Sequence, residues 1–202
     1  MSSSTRWLSH SVGDTSYRLL NLEHPTIDEV VMEEMSTGIA VYYDRRWSLT
    51  DFFAAWLLEH PDLFTGKRIL VLGAGVGLET LVLGRHAAHL YINDLSPVSL
   101  ELCSKQLAEN GITAITELPG LYQDLQVPDV DLVVGCFLVY NRQTRTAMQA
   151  FCQSHAGPIL LVNETLADFR SFLTSLDRPS QALFSEDSAK GYLLPPVPAR
   201  LA

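Results

Sequence analysis

The chain has 202 residues, 47% of them apolar and 18% charged, with 14 basic against 23 acidic side chains for a net charge of −9. That length suits one domain with a full core, and the composition is globular, which excludes a disordered or low-complexity chain. The acidic balance argues against a nonspecific nucleic-acid binder and suits neutral or cationic substrates.

In chain order, M-S-S-S-T-R-W carries no apolar leader, and no later run reaches membrane-spanning length. A soluble cytoplasmic protein with no membrane partner is the expectation. Residues 17–22, 29–32 and 38–43 read as strands or strand pieces, separated by His24-Pro25 and Ser36-Thr37-Gly38. Residues 1–46 are therefore expected to form a small β-rich lead-in, with a hairpin beside the main sheet. Tyr42 and Tyr43 alternate, so one of them should face inward and pack. Ser48-Leu-Thr-Asp51 has the S-x-x-D form of a capping box. Phe52, Phe53, Trp56 and Leu57 then share one helical face, and Pro61 ends the helix. Trp47, just before the cap, is placed to act as a hydrophobic staple.

Residues 67–94 organise the rest. Arg68 to Leu72 is a short apolar run that reads as a strand buried on both faces. Gly73, Ala74, Gly75, Val76 and Gly77 form a turn of small residues, and Leu78, Leu81, Val82 and Arg85 follow at helical spacing. A second strand, Leu90 to Ile92, ends in Asn93-Asp94. Glycines let a ligand approach the backbone, and the helix N-terminus behind them presents unpaired N–H groups. Asp94 lies 17 residues after Gly77, at the tip of the second strand, where a carboxylate can accept both hydroxyls of a ribose. The dinucleotide fingerprint is G-x-G-x-x-G, whereas this turn is G-x-G-x-G with Leu78 in the last glycine's place.

Ser96-Pro97 opens the next helix as N-cap and first residue, Leu100, Cys103 and Leu107 form its buried stripe, and Asn110-Gly111 stops it. Residues 113–116 read as a third strand. Residues 130–140 are a fourth strand and its exit, with Leu132 to Val134 apolar on both faces. Its end, at Gly135 and Cys136, should lie across the crevice from Gly75. A helix over 144–154, a fifth strand over 158–162 ending at Asn163-Glu164, a helix around Phe169 to Leu176 and a hairpin over 181–185 and 190–194 complete the sheet. Asn163 and Glu164 read as turn residues at a strand end that could reach substrate. Cys103, Cys136 and Cys152 lack metal-type C-x-x-C spacing, so no metal site is expected and they read as reduced, buried thiols.

L-G-A-G-V-G-L at residues 72–78, followed by N-D-L-S-P at 93–97, resembles the class I (seven-stranded) S-adenosylmethionine-dependent methyltransferases. R-W-S-L-T-D-F-F-A-A-W-L-L-E at 46–59 resembles the branch with nicotinamide N-methyltransferase-like and protein-lysine enzymes, methyltransferase family 16. The resemblance covers residues 37–176. It implies an α/β, Rossmann-like, doubly wound and mostly parallel seven-stranded sheet, with residues 47–202 as the domain that binds S-adenosylmethionine. It also implies a cofactor site at Trp47, Gly73, Ala74, Gly75, Gly77, Asp94, Leu95 and Cys136. Asp124, in L-Y-Q-D-L, matches the acidic residue that contacts the adenine amino group in the family, and the lead-in would help cover the active-site face.

Two positions depart from the family pattern. Lysine-methylating members carry an acid three residues before the tyrosine that matches Tyr140; here Phe137 stands there. The family's acid two residues before the first glycine is Val71, which removes a charge-assisted hydrogen bond of about 1.5–3 kcal/mol to the cofactor's ammonium. Glu79 could substitute in part, or simply stabilise the helix N-terminus. The expected function is S-adenosylmethionine-dependent methylation of nitrogen on a protein or small molecule, with Tyr140 as the catalytic hydrogen-bonding group. A binding or regulatory protein that lost transfer activity is the alternative, and a nicotinamide-dependent oxidoreductase conflicts with the glycine spacing.

Overall fold

The computed structural model describes residues 5–38, 41–43, 45–186 and 189–197. A hairpin of β1 (Trp7–Val12) and β2 (Thr15–Leu20) leads into α1 (Pro25–Ser36) and α2 (Ser48–Glu59). Alternating elements follow: β3 (Arg68–Leu72), α3 (Leu78–His86), β4 (His89–Asp94), α4 (Pro97–Glu109) and β5 (Ile115–Pro119). The chain continues through β6 (Leu132–Cys136), α5 (Arg142–Ser154), β7 (Ile159–Glu164) and α6 (Ala167–Ser175), and ends in β8 (Gln181–Glu186) and β9 (Ala189–Leu194).

The main sheet has the order β5-β4-β3-β6-β7-β9-β8; the first five strands pair in parallel, and β9 runs antiparallel to both of its neighbours, β7 and β8. The expected seven-stranded, mostly parallel α/β sheet is therefore what forms. Successive residues of β3 serve opposite faces. Ile69 and Val71 pack with Phe53 and Leu57 of α2, Leu81 and Val82 of α3, and Leu100 and Leu107 of α4. Leu70 and Leu72 pack with Met148 and Phe151 of α5 and with Phe169 and Phe172 of α6. Helices on both faces explain why this strand is apolar without alternation. From β3 the chain crosses to β4 on one side, and β6 pairs on the other, so the strand order reverses there and opens a crevice at the carboxyl ends.

The lead-in differs from its expectation. The hairpin is present, with Gly13 at φ 53° in its turn, but β1 was not legible because Ser9, His10 and Ser11 dilute its alternation. Residues 29–32 are helix, not strand. Pro25 occupies the first turn, the His24 ring accepts from Thr26 N–H, and Ile27, Val31 and Glu34 recur at helical spacing on the buried face. Four residues around Val30-Val31 are too few to show that period. In the stretch 38–43, Ile39 and Ala40 lie outside the described residues, and Val41 to Tyr43 are not in a strand. At α2 the N-cap is Trp47 rather than Ser48, with no side-chain cap; instead the Thr50 hydroxyl donates to Trp47 O at 2.8 Å. The third strand lies two residues later than expected.

The lead-in is fastened to α4 by polar bonds. Arg18 N–H donates to Asn110 Oδ1 and Asn110 Nδ2 returns a bond to Arg18 O, both at 2.8 Å. Buried Gln106 accepts from Leu20 N–H at 2.8 Å and donates to Val76 O, inside the glycine turn, at 3.0 Å. Gln106→Ala would orphan both backbone groups, and urea titration should register a loss of about 2–4 kcal/mol. Limited proteolysis should then cut the lead-in before the sheet. A loss under about 0.5 kcal/mol would show that this amide does not hold the lead-in in place.

Candidate functional site

β3 and β4 end side by side, with Leu72 paired to Asn93, so the glycine turn that leaves β3 meets the tip of β4. Gly73 and Gly75 sit at φ 57° and 50°, a region open to glycine at no steric cost. That geometry turns two N–H groups toward β4. Ala74 N–H donates to Asn93 O at 2.8 Å, and Gly75 N–H donates to Asp94 Oδ2 at 3.0 Å. Asp94 also accepts from Ser96 N–H at 3.0 Å and from the Ser99 hydroxyl at 3.1 Å. An ionised carboxylate has about four acceptor directions, so these three bonds, with a weaker pull from Leu95 N–H, leave at most one for a ligand hydroxyl. Burial pushes the Asp94 carboxyl above its ordinary range, against the pull of the Ser96, Gly75 and Ser99 donors.

The turn is approachable at Gly75. A Cβ placed on Gly75 would meet Tyr43 Cβ at 4.0 Å as its nearest neighbour, ordinary contact that leaves the backbone approachable. At Gly73 the corresponding atom would lie 2.6 Å from Leu138 Cδ2, and at Gly135 it would lie 2.6 Å from Leu138 Cδ1. Leu138 thus lies over the start of the turn, and both strand ends need glycine beneath it.

The lead-in reaches this site through one buried acid. Glu34 of α1 accepts a short hydrogen bond from the Tyr43 hydroxyl and another from the Ser96 hydroxyl at 2.5 Å. Of the two adjacent tyrosines, Tyr43 is the one that faces in and Tyr42 the one that is exposed.

The exit of β6 forms the other wall. Phe137, at φ 55°, is the non-glycine residue with positive φ among those described. Its N–H donates to Val162 O at 2.8 Å, and Asn163 holds Val139 through bonds to both its N–H and its carbonyl, each 3.0 Å. Asn163 therefore supports the exit loop from within. The Phe137 ring lies 5.0 Å from Trp47 and 5.8 Å from Tyr140, and Tyr42 lies 5.4 Å from Tyr140. The Trp47 ring thus packs on the exit of β6, and its indole N–H donates to Tyr42 O at 3.0 Å. Burial, then the neighbouring Tyr42, pushes the Tyr140 hydroxyl up to about 12, so it stays protonated at neutral pH and can donate. Burial also keeps the Cys136 thiol neutral by raising it well above its usual value.

Of the residues singled out in the sequence, Trp47, Gly73, Ala74, Gly75, Gly77, Asp94, Cys136 and Tyr140 stand on elements that converge on the carboxyl ends of β3, β4 and β6. Leu95 is exposed beside them. Asp124 is exposed in a single 3-10 turn, Tyr122–Asp124, that Tyr122 anchors on α5 through Thr144 O at 3.3 Å. Sequence reasoning missed Glu34 and Asn163 as supports of the site, because each acts through partners distant in the chain.

Glu79 is in the first turn of α3, as a helix-stabilising acid would be, yet it is only 3% exposed and its Oε2 has no hydrogen-bond partner. Burial, opposed by its own backbone N–H and reinforced by Asp51, pushes its carboxyl up to about 7 from an ordinary 4.5. The folded state therefore holds this proton more tightly than the unfolded chain. Its contribution to stability is whole below pH 4.5 and is lost as pH rises through about 7. Glu79→Gln abolishes that loss, so the stability difference, variant minus parent, should grow by about 3 kcal/mol between pH 4 and pH 8 in urea titrations. A difference that does not change with pH would mean the carboxyl is solvated.

No protein-family model matches the chain. It is 32% identical over 99 residues to methyltransferase-like protein 22 of Homo sapiens, covering 45% of this chain and 24% of that protein. It is 26% identical over 116 residues to EEF1A lysine methyltransferase 3 of Xenopus tropicalis, covering 55% and 52%. The chain thus spans from about a quarter to about half the length of these curated relatives. Among solved structures, a T. thermophilus 16S rRNA methyltransferase, in complex with AdoMet and guanosine, superposes with a TM-score of 0.62 at 18% identity, over 95% of this chain and 50% of that one. Fold and sequence matches agree: this chain has the class I S-adenosylmethionine-dependent methyltransferase fold and resembles the methyltransferase-like proteins that the glycine turn and the N-D-L-S-P segment point to.

Proposed function

We propose that the chain binds S-adenosylmethionine over the glycine turn and transfers its methyl group to nitrogen on a protein side chain or a small molecule. The observation that carries this reading is the Asp94 carboxylate, bound to Gly75 N–H beside an approachable glycine turn. Adenosine would lie over Gly73, Ala74, Gly75 and Gly77, with a ribose hydroxyl on Asp94 and with Leu95, Asp124, Trp47 and Cys136 around it. When bound, the sulfonium supplies an activated methyl group and its own leaving group. What remains for the protein is to hold the nucleophile in line at near-attack distance.

The acceptor wall is aromatic. Where lysine-methylating members of the resembled branch carry an acid, Phe137 stands between Trp47 and Tyr140. An amine against these rings loses water, which lowers its pKa and favours the neutral, nucleophilic form. The protonated Tyr140 hydroxyl can orient it by a hydrogen bond. The domain division follows the same reading, with residues 47–202 as the methyl-transfer domain and 1–46 as an extension packed on it. A cytoplasmic location fits the free thiols of Cys103, Cys136 and Cys152. The second reading, a binding or regulatory protein without transfer activity, draws on Val71 and Phe137, which lack the family's two acids.

Calorimetry with S-adenosylmethionine and with NADH tests the cofactor. The methyl donor should bind and NADH should not, and Asp94→Asn should weaken the donor by about 100-fold through the lost ribose bond. No affinity for the donor or its demethylated product would overturn the assignment. Tritiated donor incubated with a lysate lacking the protein then tests transfer. Label in protein or small-molecule fractions is expected; label in RNA would overturn the acceptor class, and no label alongside firm donor binding favours the silent protein. Tyr140→Phe should lower kcat by about 10-fold and leave donor affinity unchanged.

A further inference from the structure

The adenosine seat leaves one carboxylate of the crevice without a role. Glu79 is buried, its Oε2 lacks a donor, and a Cβ on Gly77 would collide with both of its oxygens, so the group is folded directly against the glycine turn. Asp51, from the first turn of α2, acts on it as a second negative charge. The Asp51 Oδ1 is itself buried without a hydrogen bond; its Oδ2 is paired with Arg46 at 3.1 Å, and His10 Nε2 stands 3.6 Å from Oδ1. On the β6 side the neutral Cys136 thiol feels the Glu79 charge. Glu79 Oε2 thus borders the turn buried and without a hydrogen bond, whereas Asp51 already has Arg46 and His10 as ion-pair partners.

We infer that Glu79 seats the α-ammonium group of the methionine arm of S-adenosylmethionine, in place of the acid missing at Val71. This rests on the methyl-donor reading above. A buried acceptor without a partner is costly, and a donor that arrives with the ligand relieves that cost. The ammonium brings three N–H donors and a positive charge; the sulfonium brings a charge but no donor, and the ribose is drawn to Asp94. An ammonium also opposes the charge that Asp51 places beside Glu79.

The test uses three thioether ligands, which carry no sulfonium, and calorimetry on the full chain. S-adenosylhomocysteine keeps the amine and the carboxylate of the arm, S-adenosyl-3-thiopropylamine keeps the amine alone, and 5′-methylthioadenosine has neither. The unsubstituted protein should bind the propylamine at least about 10-fold more tightly than methylthioadenosine. Glu79→Gln should cut affinity for the two amine ligands by about 10–100-fold and leave methylthioadenosine within about twofold. Equal losses for all three ligands, or none, would overturn the seat while leaving the nucleoside site standing. If no adenosine ligand binds the unsubstituted protein, the methyl-donor reading itself fails. Comparing propylamine with methylthioadenosine needs no variant, so a propylamine that binds no more tightly than methylthioadenosine overturns the seat even where the Glu79→Gln chain does not fold.

Discussion

The constraint on which the site depends is the pairing of two turn N–H groups with the tip of the neighbouring strand. Ala74 and Gly75 donate to the backbone and side chain of consecutive β4 residues, Asn93 and Asp94. The turn can present both N–H groups to β4 because Gly73 and Gly75 take positive φ. The buried Asn93 side chain donates to Leu118 O and Gly120 O at 2.7 and 2.8 Å, which ties β5 into the same corner. Three strand ends are thus held in one hydrogen-bonded unit, and Asp94 is oriented before any ligand arrives. A preoriented acceptor loses little side-chain freedom on binding, which is the physical value of building the carboxylate into the turn.

How much of this was legible in the sequence follows from the range of the interactions. The β3–α3–β4 unit could be read because its signals are local: a short apolar run, small residues, helical spacing, an acid. The α4 start was legible for the same reason, and Ser96 Oγ does accept from Ser99 N–H at 2.8 Å. The lead-in helix was not, since its apolar period shows only when Ile27, Val31 and Glu34 are taken together, and an acid at the third position disguises it. Glu34 is buried because Tyr43 and Ser96, nine and 62 residues away, satisfy it. Capping by Ser48 failed as an expectation because S-x-x-D matches a side-chain pattern, while the chain enters α2 one residue earlier, where the Trp47 indole is bonded to Tyr42 O. Glu79 shows the same limit from the other side: its position named a helix-end acid, and only the folded surroundings make it a buried one.

The crevice walls carry opposite chemistry, and the lead-in is attached to both. On the donor side its Glu34 holds Ser96, whose N–H in turn holds Asp94. On the other side Tyr42 packs at a tilt against Tyr140 and accepts the Trp47 indole N–H through its carbonyl. Tyr42 and Tyr43 are adjacent, so one short segment orients its two rings toward the two walls. A shift of that segment moves both at once.

Phe137 shows what the acceptor wall requires. A phenylalanine at φ 55° costs about 1–3 kcal/mol and persists only where the surroundings over-determine it. Here Val162 O binds its N–H and Asn163 grips Val139 two residues on, so β7 imposes the conformation from below. The outcome is a ring placed between Trp47 and Tyr140, at the position where a carboxylate would orient an ammonium in the resembled lysine-methylating enzymes. Ring faces do not accept an N–H bond with the strength of a carboxylate; they attract a cation weakly and strip its water. Negative charge is thereby kept at Glu79, Asp51 and Asp94, beside the proposed seat of the donor, and away from the nucleophile. Under the proposed function, a crevice arranged in this way would bind the donor by charge and receive the acceptor by shape and desolvation, which would bring an amine toward the methyl group as a neutral base.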